Sequence, residues 1–263
     1  MAITNVENSP EQLREVKTIL VSQPAPQDAL RNPYAALEAK FGVRVDFRSF
    51  TEVVGVEAKD FRKDRVTISD FTAIIFSSKN AVDHFFRLCE ELRHKMSQEA
   101  KYFCLNENIA LYLQKFIQYR KRKVFYGERN IEDLKNALLK HKKKEKFLLP
   151  MSNLGAKDIT DFLKEKEIDY TEALMFKTIS ADLSDLSDIT YDMLVFFTPQ
   201  AIDSVFENFP DFKQNFTRIA TYGKTTHHSA TERHLVVQIP APTAEAPSMT
   251  GAIELYLKKS NKV

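Results

Sequence analysis

The chain has 263 residues, 43% hydrophobic and 28% charged, a composition typical of a globular protein with one large domain or two of moderate size. Its 38 basic side chains are balanced by 36 acidic ones, so the net charge of +2 excludes a global field that would attract nucleic acid. No apolar run approaches the roughly 20 residues that span a bilayer, and residues 1–16 lack an export signal, so we expect a cytoplasmic protein with no membrane partner.

The first part of the chain predicts a β-α-β unit. Residues 1–16 are polar and are expected to form an N-terminal arm. An apolar run predicts a buried strand at residues 18–21, and alternation at residues 43–50 predicts a second strand with one wet face. The helix between them should end at Gly42. Its apolar face is formed by Tyr34, Leu37 and Phe41. Such crossovers build parallel sheets.

A buried strand, a hydroxyl-bearing turn and an amphipathic helix are predicted at residues 73–86. Ser77 and Ser78 offer oxygens for the helix N-cap. The same pattern recurs at residues 194–206, where Thr198 stands in the place of Ser78. The identical residues are Phe76, Ala81, Asp83 and Phe86 in the first copy and Phe196, Ala201, Asp203 and Phe206 in the second. Two copies of one unit predict two similar α/β lobes, with a site at the helix N-termini.

The other apolar runs continue this alternation of strands and helices, which is typical of the α/β class. Residues 57–65 are charged without periodicity and are predicted to form a surface loop, and residues 180–188 an acidic link. Further strands are predicted at 101–105, 123–126, 147–149, 171–178, 218–222 and 234–239. Further helices are predicted around 109–117, 131–138, 159–163 and 249–256. Turns or loops are predicted at 150–155 and at Pro240, Pro242 and Pro247.

Four predicted turns carry hydroxyl or amide side chains directly before a helix. They are Ser77-Ser78, Ser152-Asn153, Thr198 and Thr225-Thr226. Free backbone N–H groups and the positive end of the helix dipole enable such turns to hold carboxylates or phosphates. The alternative is that each hydroxyl only caps its helix. An anion site at the carboxyl ends of the strands is favoured because four such turns lie on the same predicted edge.

Several other motifs have plainer explanations. Residues 223–226 contain Gly-Lys-Thr, but a P-loop also needs glycine where Arg218 stands. No set of histidines, cysteines and acids has metal-ligand spacing, so we expect no metal. The basic runs at 119–123 and 140–146 lack interleaved aromatic residues, so they are interpreted as solvated faces without nucleic acid. The two cysteines, Cys89 and Cys104, are predicted to be buried free thiols in a reducing compartment.

Taken together, the motifs resemble those of the uroporphyrinogen-III synthase family. The resemblance extends from about Lys17 to Leu257. Its motifs, in chain order, are Phe76–Val82, Leu148–Leu154, Phe176–Thr178, Val195–Pro199, Tyr222–Thr226 and Ala241–Pro247. Their order and spacing are more specific than any one of them.

The resemblance implies two flavodoxin-like α/β lobes with parallel sheets, joined by a two-stranded linker, with a ligand cleft between them. The first lobe would be formed by residues 17–47 and 181–263, and the second, inserted lobe by residues 50–177. It also implies a monomeric lyase that cyclises hydroxymethylbilane, a linear tetrapyrrole, to uroporphyrinogen III with inversion of ring D and without a cofactor. The enzyme that produces hydroxymethylbilane is a candidate partner.

The resemblance also implies site residues and marks departures from the family. Thr226, or a bound water, would assist the leaving hydroxyl. Substrate-binding roles are expected for Ser77, Ser78, Lys79, Asn80, Asn106, Ser152, Asn153, Thr198, Gln200, Lys224 and Thr225. The departures are Phe176 for the family's usual tyrosine, a candidate acid, Gln200-Ala201 for Ser-Gly, Lys224 for proline, and Leu105-Asn106 where glycine is expected. They leave open an alternative function as a diverged member that binds an anionic ligand or a partner without turnover.

Overall fold

The computed structural model describes three stretches of the chain, residues 14–28, 32–127 and 131–261. Of the predicted N-terminal arm, residues 1–13 therefore lie outside the described residues. The chain divides into two compact units. Unit 1 consists of residues 1–52 and 179–263, and unit 2 consists of residues 53–178. Each unit contains a sheet of its own, and the predicted α/β class with parallel sheets is confirmed.

Strands and helices alternate along the described chain. The strands are β1 (Thr18–Val21), β2 (Arg44–Phe47), β3 (Thr51–Gly55), β4 (Ala73–Phe76), β5 (Lys101–Cys104), β6 (Val124–Tyr126), β7 (Phe147–Ser152), β8 (Tyr170–Ser180), β9 (Met193–Phe196), β10 (Arg218–Tyr222) and β11 (Val237–Ala241). The α-helices are α1 (Ala35–Phe41), α2 (Ala58–Phe61), α3 (Lys79–Glu91), α4 (Glu107–Tyr112), α5 (Ile131–His141), α6 (Lys157–Glu165), α7 (Pro199–Asn208), α8 (Lys224–Glu232) and α9 (Met249–Ser260). Short 3-10 helices lie at Arg62–Asp64, Ile68–Asp70, Leu113–Lys115 and Ser184–Leu186.

In unit 1 the described strands form a parallel sheet in the order β2-β1-β9-β10-β11. Numbered within the unit this is 2-1-3-4-5, the flavodoxin-like order. Side chains of β1 alternate between the two faces. Ile19 and Val21 join a core cluster with residues of α1 and α9. Leu20 joins a second cluster with residues of α7. The sheet is therefore buried on both faces, as parallel sheets require.

The carboxylate of Asp192 joins the beginnings of β1 and β9. One of its oxygens accepts hydrogen bonds from the backbone N–H groups of Lys17 and Thr18, both at 2.9 Å, and from the Thr18 hydroxyl at 3.1 Å. The Thr18 hydroxyl oxygen in turn accepts from the Asp192 N–H at 3.0 Å. These contacts fix the register of the two central strands of unit 1.

We expect Asp192→Ala to lower the free energy of unfolding by about 2 to 3 kcal/mol, because it leaves donors without their charged acceptor. Urea denaturation followed by circular dichroism measures the change. Asp188→Ala removes the same charge from an exposed position in the same segment and should cost less than about 0.5 kcal/mol. Equal losses in the two variants would contradict the structural role given to Asp192.

In unit 2 the described strands form a sheet in the order β6-β5-β4-β7-β8-β3. The pairs from β6 through β8 are parallel. Without β3 the order is 3-2-1-4-5, the doubly wound order 3-2-1-4-5-6 without its sixth strand. Phe76 at the end of β4 is fully buried and contacts the rings of Phe85 and Phe86 on α3 and of Tyr102 on β5.

Cys89 and Cys104 are both free and buried. Burial raises the pKa of each thiol to about 12. The thiolate is the reactive form, so we expect native protein at neutral pH not to react with an aromatic disulfide reagent. The denatured chain, as the control, should react at both cysteines. Prompt reaction of one thiol in the native protein would contradict this prediction.

Two predicted segments differ from the structure. The predicted loop at 57–65 contains α2 and a 3-10 helix, since Phe61 is only 1% exposed and anchors the charged segment in the core of unit 2. The helix predicted around 109–117 ends as an α-helix at Tyr112 and tightens to a 3-10 turn. Phe116 beyond it is 39% exposed instead of lying on a buried helix face.

Two predicted strand boundaries are wrong because proline occupies the strand. The strand expected to end at Leu149 continues through Pro150 to Ser152. The pairing of this strand with β4 ends at Leu148. Pro150, which has no backbone N–H, is therefore not required to donate a hydrogen bond to β4. The strand expected at 234–239 is Val237–Ala241 and includes Pro240. β11 lies at the edge of its sheet, where proline is tolerated.

Candidate active site

The sheet of unit 2 reverses its winding between β4 and β7. From β4 the chain proceeds to β5 and β6 on one side, and it returns to β7 and β8 on the other. Ligands of such sheets bind outside the carboxyl ends of the strands at this point. A pocket of about 410 Å³ lies there. Its lining is Ser77, Ser78, Leu105, Ser152, Leu154, Gly155, Ala156, Lys157, Asp158, Ile159 and Phe176.

The first turn of α3 opens beside this pocket. The Ser78 hydroxyl accepts a hydrogen bond from the Ala81 N–H at 3.1 Å and caps the helix, as predicted. The N–H groups of Lys79 and Asn80 lie in the first turn, where no intrahelical acceptor exists. Together with the dipole of a 13-residue helix, they can hold a carboxylate. The Ser77 hydroxyl is not used for capping.

The predicted Ser152-Asn153 turn does not precede a helix directly. Ser152 is the last residue of β7, and α6 begins only at Lys157 without a side-chain cap. The side-chain amide of Asn153 is hydrogen-bonded to the backbone of Thr178. It donates to the Thr178 carbonyl at 3.2 Å and accepts from the Thr178 N–H at 2.8 Å. The intervening turn needs Gly155, whose φ of +75° disfavours other residues. Ser152 lines the pocket and Asn153 does not.

Phe176 forms an apolar wall of the pocket and is 6% exposed. Its ring stacks on His84, with ring centroids 5.1 Å apart and 13° between planes. Nδ1 of His84 accepts a hydrogen bond from Nε of Arg87 at 3.3 Å. Burial and the charge of Arg87 lower the pKa of His84, against an opposing effect of Asp83. The neutral imidazole is therefore favoured behind this wall.

The remaining predicted residues of unit 2 lie outside the pocket lining. Lys79 and Asn80 have exposed side chains on the first turn of α3. The Lys79 ammonium lies 5.4 Å from the ring centroid of Tyr112. Asn106 caps α4, its side-chain oxygen accepting from the Ile109 N–H at 3.1 Å. Of the eight predicted positions in this unit, Ser77, Ser78, Ser152 and Phe176 come together at the pocket.

In unit 1 the winding reverses between β1 and β9. The Thr198 hydroxyl follows β9 and caps α7, accepting from the Ala201 N–H at 3.3 Å. Gln200 lies half-buried in the first turn of that helix. Ser22 follows β1 and is 7% exposed. Among the described residues, its hydroxyl is the one buried side-chain oxygen or nitrogen without a hydrogen-bond partner.

The predicted Thr225-Thr226 turn is instead the first turn of α8, because the helix begins at Lys224. Gly223 precedes it with a φ of +86°, which suits glycine and leaves the helix without a side-chain cap. Lys224 and Thr225 are exposed. Thr226 is 1% exposed, so its side chain is buried in this structure.

Three further residues of interest carried no recognisable signal in the sequence. Ser22 directly follows the strand predicted at residues 18–21, and its buried hydroxyl becomes apparent once β1 and β9 are paired. Lys157 and Asp158 line the unit 2 pocket as its ionisable residues. They lie between the predicted turn at 150–155 and the apolar residues at 159–163 that predict the helix, where no pattern marks a site residue.

Two general features of the described residues bear on the kind of site. No group of three or more histidine, cysteine or acidic side chains in this part of the chain is arranged to hold a metal ion. None of the helices that the structure describes is sufficiently long and apolar to cross a membrane.

Comparison with known proteins identifies the family. A family model described as uroporphyrinogen-III synthase HemD matches residues 32–251. A uroporphyrinogen-III synthetase from Helicobacter pylori has a similar structure, with 20% identity, 92% of this chain and 99% of that chain covered, and a TM-score of 0.57. A mutant uroporphyrinogen III synthase from the extremely thermophilic bacterium Thermus thermophilus gives 13% identity, the same 92% and 99% coverage and a TM-score of 0.53. At these identities the structures show the fold alone, and no curated protein sequence matches. Because the family model extends over most of both units, the chain belongs to the uroporphyrinogen-III synthase family.

Proposed function

We propose that this protein is a uroporphyrinogen-III synthase, which cyclises hydroxymethylbilane to uroporphyrinogen III with inversion of ring D. The observation that carries the proposal is the family match over residues 32–251, which includes all of unit 2 and the strands β2, β9, β10 and β11 of unit 1. The reaction is a dehydrating cyclisation, as a lyase performs, and it proceeds without a cofactor. We propose further that the protein acts as a cytoplasmic monomer and receives its substrate from the enzyme that produces hydroxymethylbilane.

The unit 2 pocket is suited to a substrate with many carboxylates. We propose that the first-turn N–H groups of α3 hold one carboxylate, with the hydroxyls of Ser77, Ser78 and Ser152 beside it. Backbone N–H groups can hold carboxylates without a large basic patch, and this agrees with the small net charge of +2. In unit 1 we propose substrate contacts for Thr198, Gln200, Lys224 and Thr225, and in unit 2 further contacts for Lys79, Asn80, Asn106 and Asn153.

The chemistry needs geometry more than a strong catalytic group. The carbon–oxygen bond of the terminal hydroxymethyl group breaks, the hydroxyl takes up a proton and leaves as water, and an azafulvene cation remains. Carbon–carbon bond formation then gives a spiro intermediate, which rearranges and closes. The pyrrole carbon that forms the last bond releases its proton, so the net change is the loss of one water. Phe176 has no proton to donate, and Thr226 is 1% exposed. We therefore propose that a water held by the pocket hydroxyls supplies the proton, while the walls orient the chain ends.

An assay of product isomers tests the proposal. The protein is incubated with hydroxymethylbilane, the products are oxidised to porphyrins, and isomers I and III are separated by chromatography. Isomer III should form faster than isomer I forms in a protein-free control. Isomer I alone, at the rate of that control, would contradict the proposal. Tight binding of the tetrapyrrole without isomer III would instead identify a binding protein that has lost turnover.

A further inference from the structure

A second pocket in unit 2 lies at the opposite edge of the same sheet. It has a volume of about 610 Å³ and includes Ala100 and Lys123, which directly precede β5 and β6. The other walls are the end of α3, the loop over residues 93–98, and residues 116–120. It therefore opens at the amino ends of the strands, and no residue lines both this pocket and the one at the carboxyl ends.

Aromatic rings form one side of this amino-end pocket. The rings of Phe86 and Phe116 stack with centroids 4.8 Å apart and 7° between planes. Tyr102 lies beside Phe86, with a centroid distance of 6.5 Å. Phe116 is 39% exposed, so part of its ring is open to a flat ligand. Stacking on such a face is favourable for any conjugated ring.

Basic side chains form the other side of the amino-end pocket. Lys123 is 7% exposed, pairs with Glu99 at 2.7 Å and also donates to the carbonyl of Gln98. Arg93, Lys95 and Arg120 also line the pocket, and among the described residues no carboxylate lies within ion-pair distance of these three. The acidic residue of the lining is Glu90. Positive charge therefore exceeds negative charge around an aromatic surface.

The fold brings together basic and aromatic residues that are far apart in the sequence. The basic run at 119–123 contains no interleaved aromatic residues apart from its first member, and a solvated face is the plain interpretation of such a run. The sheet and α3 bring Phe86 and Tyr102 beside Arg120 in one pocket. The run thus gains the aromatic neighbours that a ligand with both charge and a ring would require.

We propose that the amino-end pocket binds a small polyanion that carries a flat conjugated ring. The ring stacks on the Phe116 face, and the phosphate or carboxylate groups are held by Arg93, Lys95 and Arg120. A nucleotide and a porphyrin carboxylate share this chemistry. Since its lining is separate from that of the carboxyl-end pocket, the site is distinct from the proposed reaction site and goes beyond the proposed function.

Calorimetric titration of the full chain tests this proposal. The probes are adenosine monophosphate, uroporphyrin III and, as a probe without a ring, inorganic phosphate. We expect saturable binding of at least one ring compound, with Arg120→Gln and Arg93→Gln each weakening it about tenfold, the effect of one charge-assisted contact. Arg122→Gln is the matched control, because Arg122 belongs to the same run but is exposed and does not line the pocket.

The ring compound that binds more tightly identifies the source of the ligand. Inorganic phosphate should bind at least tenfold more weakly, because it cannot stack. Failure of both ring compounds to bind would overturn the proposal, and so would equal weakening by Arg120→Gln and Arg122→Gln. The Arg93 and Arg120 variants should keep the isomer ratio and turnover of the unaltered protein. Loss of the proposed function and loss of this site are therefore measured separately.

Discussion

Replacing Ser77 by leucine is expected to lower kcat/KM for hydroxymethylbilane by about a hundredfold, the effect of a substrate displaced by about 1 Å from its productive position. Ser77 is half-buried and lines the 410 Å³ pocket at the carboxyl end of β4. A branched apolar side chain there would occupy the space that we propose for the substrate and would displace the water that we propose near Ser78 and Ser152. Initial rates with separation of the isomers measure the loss.

Ser77→Ala is the matched control, because it removes the hydroxyl and keeps the space. It should lower kcat/KM by only about fivefold, the effect of one neutral hydrogen bond. Ser78, and not Ser77, caps α3, so both variants should retain the thermal midpoint of the unaltered protein within a few degrees. Equal activity losses in the two variants would show that the hydroxyl, and not the shape of the pocket, is what the substrate requires.

Phe76→Ala should lower the free energy of unfolding of unit 2 by about 3 to 5 kcal/mol, the range for removing a buried phenyl ring. The ring is 0% exposed and has aromatic neighbours on three sides. Its centroid lies 5.5 Å from that of Phe85, 6.3 Å from that of Phe86 and 6.2 Å from that of Tyr102. The truncation leaves a cavity between β4, β5 and α3.

Urea denaturation monitored by circular dichroism measures this loss, and Leu111→Ala provides the comparison. Leu111 is 53% exposed on α4, so its truncation should change the free energy of unfolding by less than about 0.5 kcal/mol. A Phe76→Ala loss below about 1 kcal/mol would mean that neighbouring side chains collapse into the space. It would then contradict the central role of this ring in the core.

The strands that could be predicted most accurately are short apolar runs buried on both faces. The strand predicted at residues 18–21 matches the structure at both ends, and the strand Ala73–Phe76 begins where the unit predicted at residues 73–86 begins. Strands that contain proline could not be delimited in this way. Whether Pro150 or Pro240 interrupts a strand depends on which edge lacks a partner, and that is set by distant segments.

The site was predictable where a side chain acts on its own backbone. Ser78 and Thr198 cap the helices that directly follow them, and this local geometry is encoded within four residues. The contact of Asn153 with Thr178 could not be predicted, because Thr178 lies on another strand. The same holds for Ser22, whose burial depends on β9, and for Arg120, whose aromatic neighbours come from other elements. Contacts between strands depend on residues that are far apart in the sequence, so no single segment predicts them.

Unit 1 consists of two segments that are far apart in the chain, and this has a consequence for folding during synthesis. Thr18 and Asp192, which together align β1 with β9, are separated by 174 positions of the chain. A ribosome adds about 5–20 residues per second, so roughly ten seconds or more pass between the emergence of the two strands. Throughout that interval the nascent β1 lacks its neighbour β9, while all of unit 2 is completed. Unit 2 can therefore fold first, and one edge of the apolar strand Thr18–Val21 stays without its partner until β9 has been synthesised.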